Sequence, residues 1–76
     1  MHIKIEDHSP VSGRPVRVID YPGTLLQFAK IHFLFFGFYR VEKAGSNKYL
    51  IYYKLDGQHV YTISKAKKED MQNEIN

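Results

Sequence analysis

Residues 24–41 read Thr24-Leu25-Leu26-Gln27-Phe28-Ala29-Lys30-Ile31-His32-Phe33-Leu34-Phe35-Phe36-Gly37-Phe38-Tyr39-Arg40-Val41. Two readings compete for this stretch. Thr24 stands three residues before Gln27, the spacing at which each side chain can bond the other's unpaired backbone N–H. Gly37 stands where a helix C-terminus favours a left-handed residue. These signals predict a helix from Leu25 to about Phe36. Phenylalanine favours strands, and Ile31 to Val41 can also be read as one long aromatic strand bulged at Gly37. The caps favour the helix. Its only polar positions are Gln27, Lys30 and His32, so one sheet cannot cover it. The N-terminal strands or a second subunit are expected on its other side.

Downstream of this stretch the pattern is a meander. Asp56-Gly57 predicts a two-residue hairpin turn between residues 49–55 and 58–64, pairing Tyr53 with Val60 and Tyr52 with Tyr61. Ala44-Gly45-Ser46-Asn47 reads as a four-residue loop that pairs Val41 with Leu50 and Tyr39 with Tyr52. Side chains alternate across a strand, so these registers sort them by face. Tyr39, Val41, Leu50, Tyr52, Tyr61 and Ile63 are expected against the helix. Phe38, Arg40, Tyr49, Ile51, Tyr53 and Val60 are expected on the other face, half covered or free to bind.

Upstream, Ile3 and Ile5, and then Val16 and Val18, alternate with polar neighbours, predicting short strands at residues 2–6 and 15–19. The intervening His8-Ser9-Pro10-Val11-Ser12-Gly13-Arg14-Pro15 is a loop by composition. Ser64 can cap a weak, frayed helix in the tail, whose apolar content is only Ala66, Met71 and Ile75. The fold class expected is α+β: one small domain over residues 1–76, with a central apolar helix packed on a three-stranded antiparallel meander. Residues 1–20 supply N-terminal strands and a loop, 24–64 the helix and meander, and 65–76 a charged tail or helix.

A chain of 76 residues, 43% hydrophobic and 25% charged, fits one small globular domain. With no cysteine, disulfides, thiolate nucleophiles and Cys-ligated metals are excluded. No apolar run approaches a membrane span, and the N-terminus lacks the apolar region of a signal peptide, so a soluble cytoplasmic protein is expected. The net charge of +3 is unevenly placed. Residues 1–20 cancel; residues 21–68 hold eight Lys or Arg against Glu42 and Asp56, a balance of +6; the last eight residues carry −3. All eleven aromatic residues lie between Tyr21 and Tyr61, inside the basic segment. Rings that stack on bases and cations that neutralise phosphates therefore share one region, as in nucleic-acid-binding surfaces.

Chemistry-bearing motifs are sparse. His2, His8, His32 and His59 show no metal-ligand spacing, so no metal and no cofactor are expected. His32 reads as a packed histidine and His59 as a surface residue. Asp7-His8-Ser9 is not a triad, because neighbouring side chains on a strand or loop diverge.

Gly37-Phe38, then Gly45-Ser46, then Asp56-Gly57 before a closing strand, all behind an apolar helix, resembles the small HicA toxins of bacterial toxin–antitoxin systems. The resemblance covers about residues 24–75. It implies a double-stranded-RNA-binding-like fold of helix, three-stranded sheet and helix, and cleavage of messenger RNA by a histidine after the Gly-Ser pair. Here Asn47 occupies that position, and an amide cannot exchange a proton near neutral pH.

Composition and resemblance together predict a non-catalytic RNA-binding regulator or inhibitor, of phage or plasmid type, acting in a toxin–antitoxin or host-defence setting. Lys43, Lys48, Lys54 and Lys65 would contact phosphates, while Arg40, Tyr49 and Tyr53 would offer stacking surfaces. The alternative is a protein-binding module, either a homodimer or an inhibitor that docks through the apolar helix and the sheet. A third expectation is a small ribonuclease using His8 or His59 with a lysine.

Overall fold

The computed structural model describes residues 1–9 and 15–67. The elements run β1 (His2–Asp7), β2 (Val16–Asp20), α1 (Leu25–Ala29) continued by a π-helical turn (Lys30–Leu34), then β3 (Tyr39–Gly45), β4 (Lys48–Tyr53) and β5 (His59–Lys65). All five strands form one antiparallel sheet in the order β2-β1-β5-β4-β3. The expected helix on a three-stranded meander is thereby corrected. The protein is mostly β, and the N-terminal strands extend the sheet beside β5 instead of covering the helix. The tail helix expected after Ser64 lies largely outside the described residues.

The helix begins as its caps direct. Thr24 Oγ1 accepts from the Gln27 backbone N–H at 3.1 Å, and Gln27 Oε1 accepts from the Thr24 N–H at 2.9 Å. Its second half widens into a π turn, in which the Phe35 N–H donates to the Lys30 carbonyl at 2.9 Å. The helix ends before Gly37, whose φ of +77° is open to glycine at little cost. Leu25, Phe28, Ala29 and Phe33 form its buried stripe. They meet Ile3, Ile5, Ile51 and Ile63 from the sheet, with Tyr39, Val41, Tyr49 and Tyr61 at the margin. Since the N-terminal strands lie in the sheet, nothing among the described residues covers the other side of the helix. Leu26, Ile31, Leu34 and Phe35 stand exposed there.

The face assignment of β4 is also corrected. Gly45 remains in the strand and pairs with Lys48 across a two-residue turn, and a bulge between Lys43 and Gly45 then sets Val41 opposite Ile51 and Tyr39 opposite Tyr53. At the other hairpin the Tyr53 N–H donates to the Gln58 carbonyl at 2.9 Å across a four-residue loop, Lys54 to Gly57, in place of the two-residue turn. A bulge between Ile51 and Tyr52 absorbs the change in register along β5. Tyr49, Ile51 and Tyr53 therefore share the helix side with Tyr39, Val41, Tyr61 and Ile63, while Leu50 and Tyr52 face the other way. Val60 is buried at the bulge.

Candidate nucleic-acid interface

The sheet face opposite the helix carries two side-chain groupings. Near the β3–β4 turn, the pairings Lys4 with Ser64 and Lys48 with Ser64 set Lys4, Ser64 and Lys48 in one row across β1, β5 and β4. An open groove of about 710 Å³ lies over this row, bounded also by Glu6, Asn47, Lys65 and Lys67. Lys4, Lys48, Lys65 and Lys67 thus line one concavity together with one acidic residue, Glu6, whose carboxylate lies 4.0 Å from Lys4 Nζ. The turn that forms the wall is tied down by the Lys65 N–H, which donates to the Asn47 carbonyl at 3.1 Å. A second cleft of about 370 Å³ lies on the far side of the same turn, where Tyr49, Leu25, Leu26, Ser46 and Asn47 meet.

The second grouping is a row of flat groups. The Arg40 guanidinium sits 4.4 Å from the centre of the Tyr52 ring, Tyr52 lies 5.2 Å from His59, and His59 lies 4.4 Å from His8. Beneath the imidazoles, Thr62 is 5% exposed. Its Oγ1 is 2.9 Å from His8 Nε2 and 3.1 Å from His59 Nε2, so the hydroxyl can donate to one ring and accept from the other. With both Nε2 atoms on one hydroxyl, the histidines pack against each other instead of flanking an open space. Arg40 also forms an ion pair with Glu42 at 2.6 Å.

The residues expected to contact RNA are thus divided by the fold. Lys48 and Lys65 converge on the groove, and Tyr49 lines the second cleft. Lys43 lies opposite Tyr49 near the same end of the sheet, whereas Lys54 lies in the β4–β5 loop at the opposite end. Tyr53 is on the helix side, stacked on Tyr39 at 5.4 Å, and Arg40 is engaged by Tyr52 and Glu42. Sequence reasoning missed Lys4 and Lys67. Lys4 falls in the charge-neutral N-terminal segment, and only the pairing of β1 with β5 brings it to the groove. Its alternation with Ile3 and Ile5 was the available signal, since it put Lys4 on the face away from the core.

Tyr39 and Tyr61 have phenol pKa values raised above the ordinary 10.0, chiefly because burial penalises the phenolate, with further repulsion from Tyr53 at Tyr39 and from Asp7 at Tyr61. Both belong to the aromatic cluster around Phe33, at 5.3 and 5.5 Å, and so hold the helix to the sheet. Among the described residues no group of three His, Cys, Asp or Glu is placed to hold a metal ion, and no helix is long and apolar enough to cross a membrane.

Comparison with protein-family models, curated proteins and solved structures finds no match to this chain. The likeness to HicA toxins therefore rests on the Gly37-Phe38, Gly45-Ser46 and Asp56-Gly57 residues alone.

Proposed function

We propose that the protein is a non-catalytic RNA-binding regulator, and that a single strand crosses the sheet at the β3–β4 turn. The observation that carries this reading is the groove ringed by Lys4, Lys48, Lys65 and Lys67. Lysines drawn from different strands into one concavity repel one another, and a polyanion relieves that repulsion while releasing its own counterions. Backbone phosphates lie along the groove, and a base leaving it around Asn47 reaches the Tyr49 ring in the adjoining cleft. Asn47, which lines both clefts, offers an amide that hydrogen-bonds a base edge or phosphate and transfers no proton. This chemistry suits a protein that occupies RNA without cutting it, in keeping with the expected role of an inhibitor in a toxin–antitoxin or host-defence setting.

Fluorescence anisotropy with labelled single-stranded RNA tests the reading. Affinity should fall with salt with a log–log slope of about −3 if all four lysines meet phosphates. The pair Lys48→Ala and Lys65→Ala should bring that slope to about half, while Lys54→Ala leaves it unchanged. No detectable binding at low salt, or equal losses for all three lysines, would remove the proposal.

A further inference from the structure

Among the described residues the two outer strands of the sheet, β2 and β3, have unpaired edges, and they differ in kind. In β3 the direction of each backbone group follows from the bonds around it. The Lys54 N–H donates to the Phe38 carbonyl at 3.0 Å, and the register pairs Arg40 with Tyr52 and Glu42 with Leu50. Antiparallel pairs alternate between bonded and non-bonded, so Phe38, Arg40 and Glu42 turn their backbone groups to β4. Tyr39, Val41 and Lys43 turn theirs outward.

From this geometry we infer that the protein forms a two-fold symmetric dimer by pairing β3 with β3 of a second copy, antiparallel and centred on Val41. The inference does not depend on the RNA-binding reading. In that register every outward backbone group finds a partner: Val41 pairs with Val41, and Tyr39 with Lys43, in both directions. The intervening positions place Arg40 opposite Glu42 of the second copy, and Glu42 opposite its Arg40. These are the non-bonded pairs, where opposed side chains approach closest. Arg40 and Glu42 are about half exposed and already form an ion pair within the strand, so dimerisation assembles an alternating cluster of four charges on one face. A self-complementary patch is what a two-fold axis requires. The β2 edge lacks it. Backbone bonds between Tyr21 and Met1 turn Val16, Val18 and Asp20 outward, and a pairing centred on Val18 would set Arg17 against Ile19 and Asp20 against Val16.

Some of the apolar residues left bare by the fold belong to the part of the helix that packs over β3. The helix starts over β5 and its π turn packs over β3, and Ile31, Leu34 and Phe35 of that turn and its end are exposed. Phe35 is 80% and Phe38 68% exposed. A strand pair alone buries too little area for a stable dimer, and the flanks of two helices meeting across the axis supply the apolar remainder.

The absence of cysteine from the chain permits a direct test. Bonded antiparallel partners sit about 5.5 Å apart at Cα, within disulfide reach. Val41→Cys should therefore oxidise to a covalent dimer, while Val18→Cys at the centre of β2 stays monomeric. In sedimentation the unmodified protein should be dimeric at micromolar concentration. Arg40→Glu should weaken the dimer by about tenfold or more, because four acids then face one another. The exchange of both charges, Arg40→Glu with Glu42→Arg, should restore it. Val41→Pro removes only an outward N–H, which an edge strand tolerates, and should give a folded monomer by circular dichroism. A monomer at all concentrations, cross-linking through Val18→Cys but not Val41→Cys, or failure of the charge exchange to restore association would overturn the inference.

Discussion

Thr62 shows how much can rest on one small side chain. It is nearly buried, it lies on β5 at the centre of the sheet, and its hydroxyl serves two imidazoles. Thr62→Val keeps the shape and removes both bonds, so unfolding in urea should show a loss of about 1–2 kcal/mol. Thr24→Ala, which removes the oxygen that caps the helix, should cost about 1 kcal/mol. Tyr39 makes a prediction about pH. Its phenol ionises less readily in the folded protein than in the unfolded chain, burial being the larger cause and Tyr53 the smaller. The unfolded chain therefore sheds the proton first as pH rises. The stability tied to the neutral phenol is complete below the ordinary value of 10.0 and is lost as pH rises through the higher folded value. Tyr61 acts in the same sense. The double variant Tyr39→Phe, Tyr61→Phe should flatten the fall in stability between neutral and strongly alkaline pH, as followed by denaturation at each pH. At this scale the sequence was informative: the capping box is present as its spacing implied, and Gly37 has the backbone conformation expected of it.

Elements proved harder to read than residues, and β4 shows why. Tyr49-Leu50-Ile51-Tyr52-Tyr53 is an unbroken apolar run, with no alternation to say which side chains face the core. Its orientation depends on the turns, and each turn differs from the length its residues suggest, the first being shorter and the second longer. Gly45 stays in β3, and the second hairpin spends four residues on its loop. A one-residue slip transfers every side chain to the other face, which is why Tyr49 and Tyr53 lie on the helix side and Tyr52 does not. The second loop depends on Gly57, at φ +72° with open space around the position of an added Cβ. Gly57→Ala therefore introduces backbone strain without a clash and should destabilise by about 1–2 kcal/mol in thermal or chemical unfolding.

For the molecule as a whole, β5 is the central strand. It pairs with β1 on one side and β4 on the other, and Ile63, fully buried, faces Ile5 and Tyr49 in those registers. Ile63→Ala should cost about 2–5 kcal/mol, a large share of a small domain's total stability of roughly 5–15 kcal/mol. Its effect should appear as one cooperative loss, because the same core joins the N-terminal strands to the meander. The sequence by itself determined the local features: the helix start and stop, the approximate limits of all five strands, and a basic aromatic segment. These are written in spacing, caps and composition over a few residues. Tertiary structure alone decided the strand order, the face presented by β4, the joining of Lys4 to Lys48 and Lys65, and the exposure of one flank of the helix. The face of β4 depends on the two hairpin registers; the others depend on pairing β1 with β5, more than fifty residues apart in Ile5 and Ile63, a contact that no local period encodes. That pairing is selected by the burial of Ile3, Ile5, Ile51 and Ile63 together under the helix.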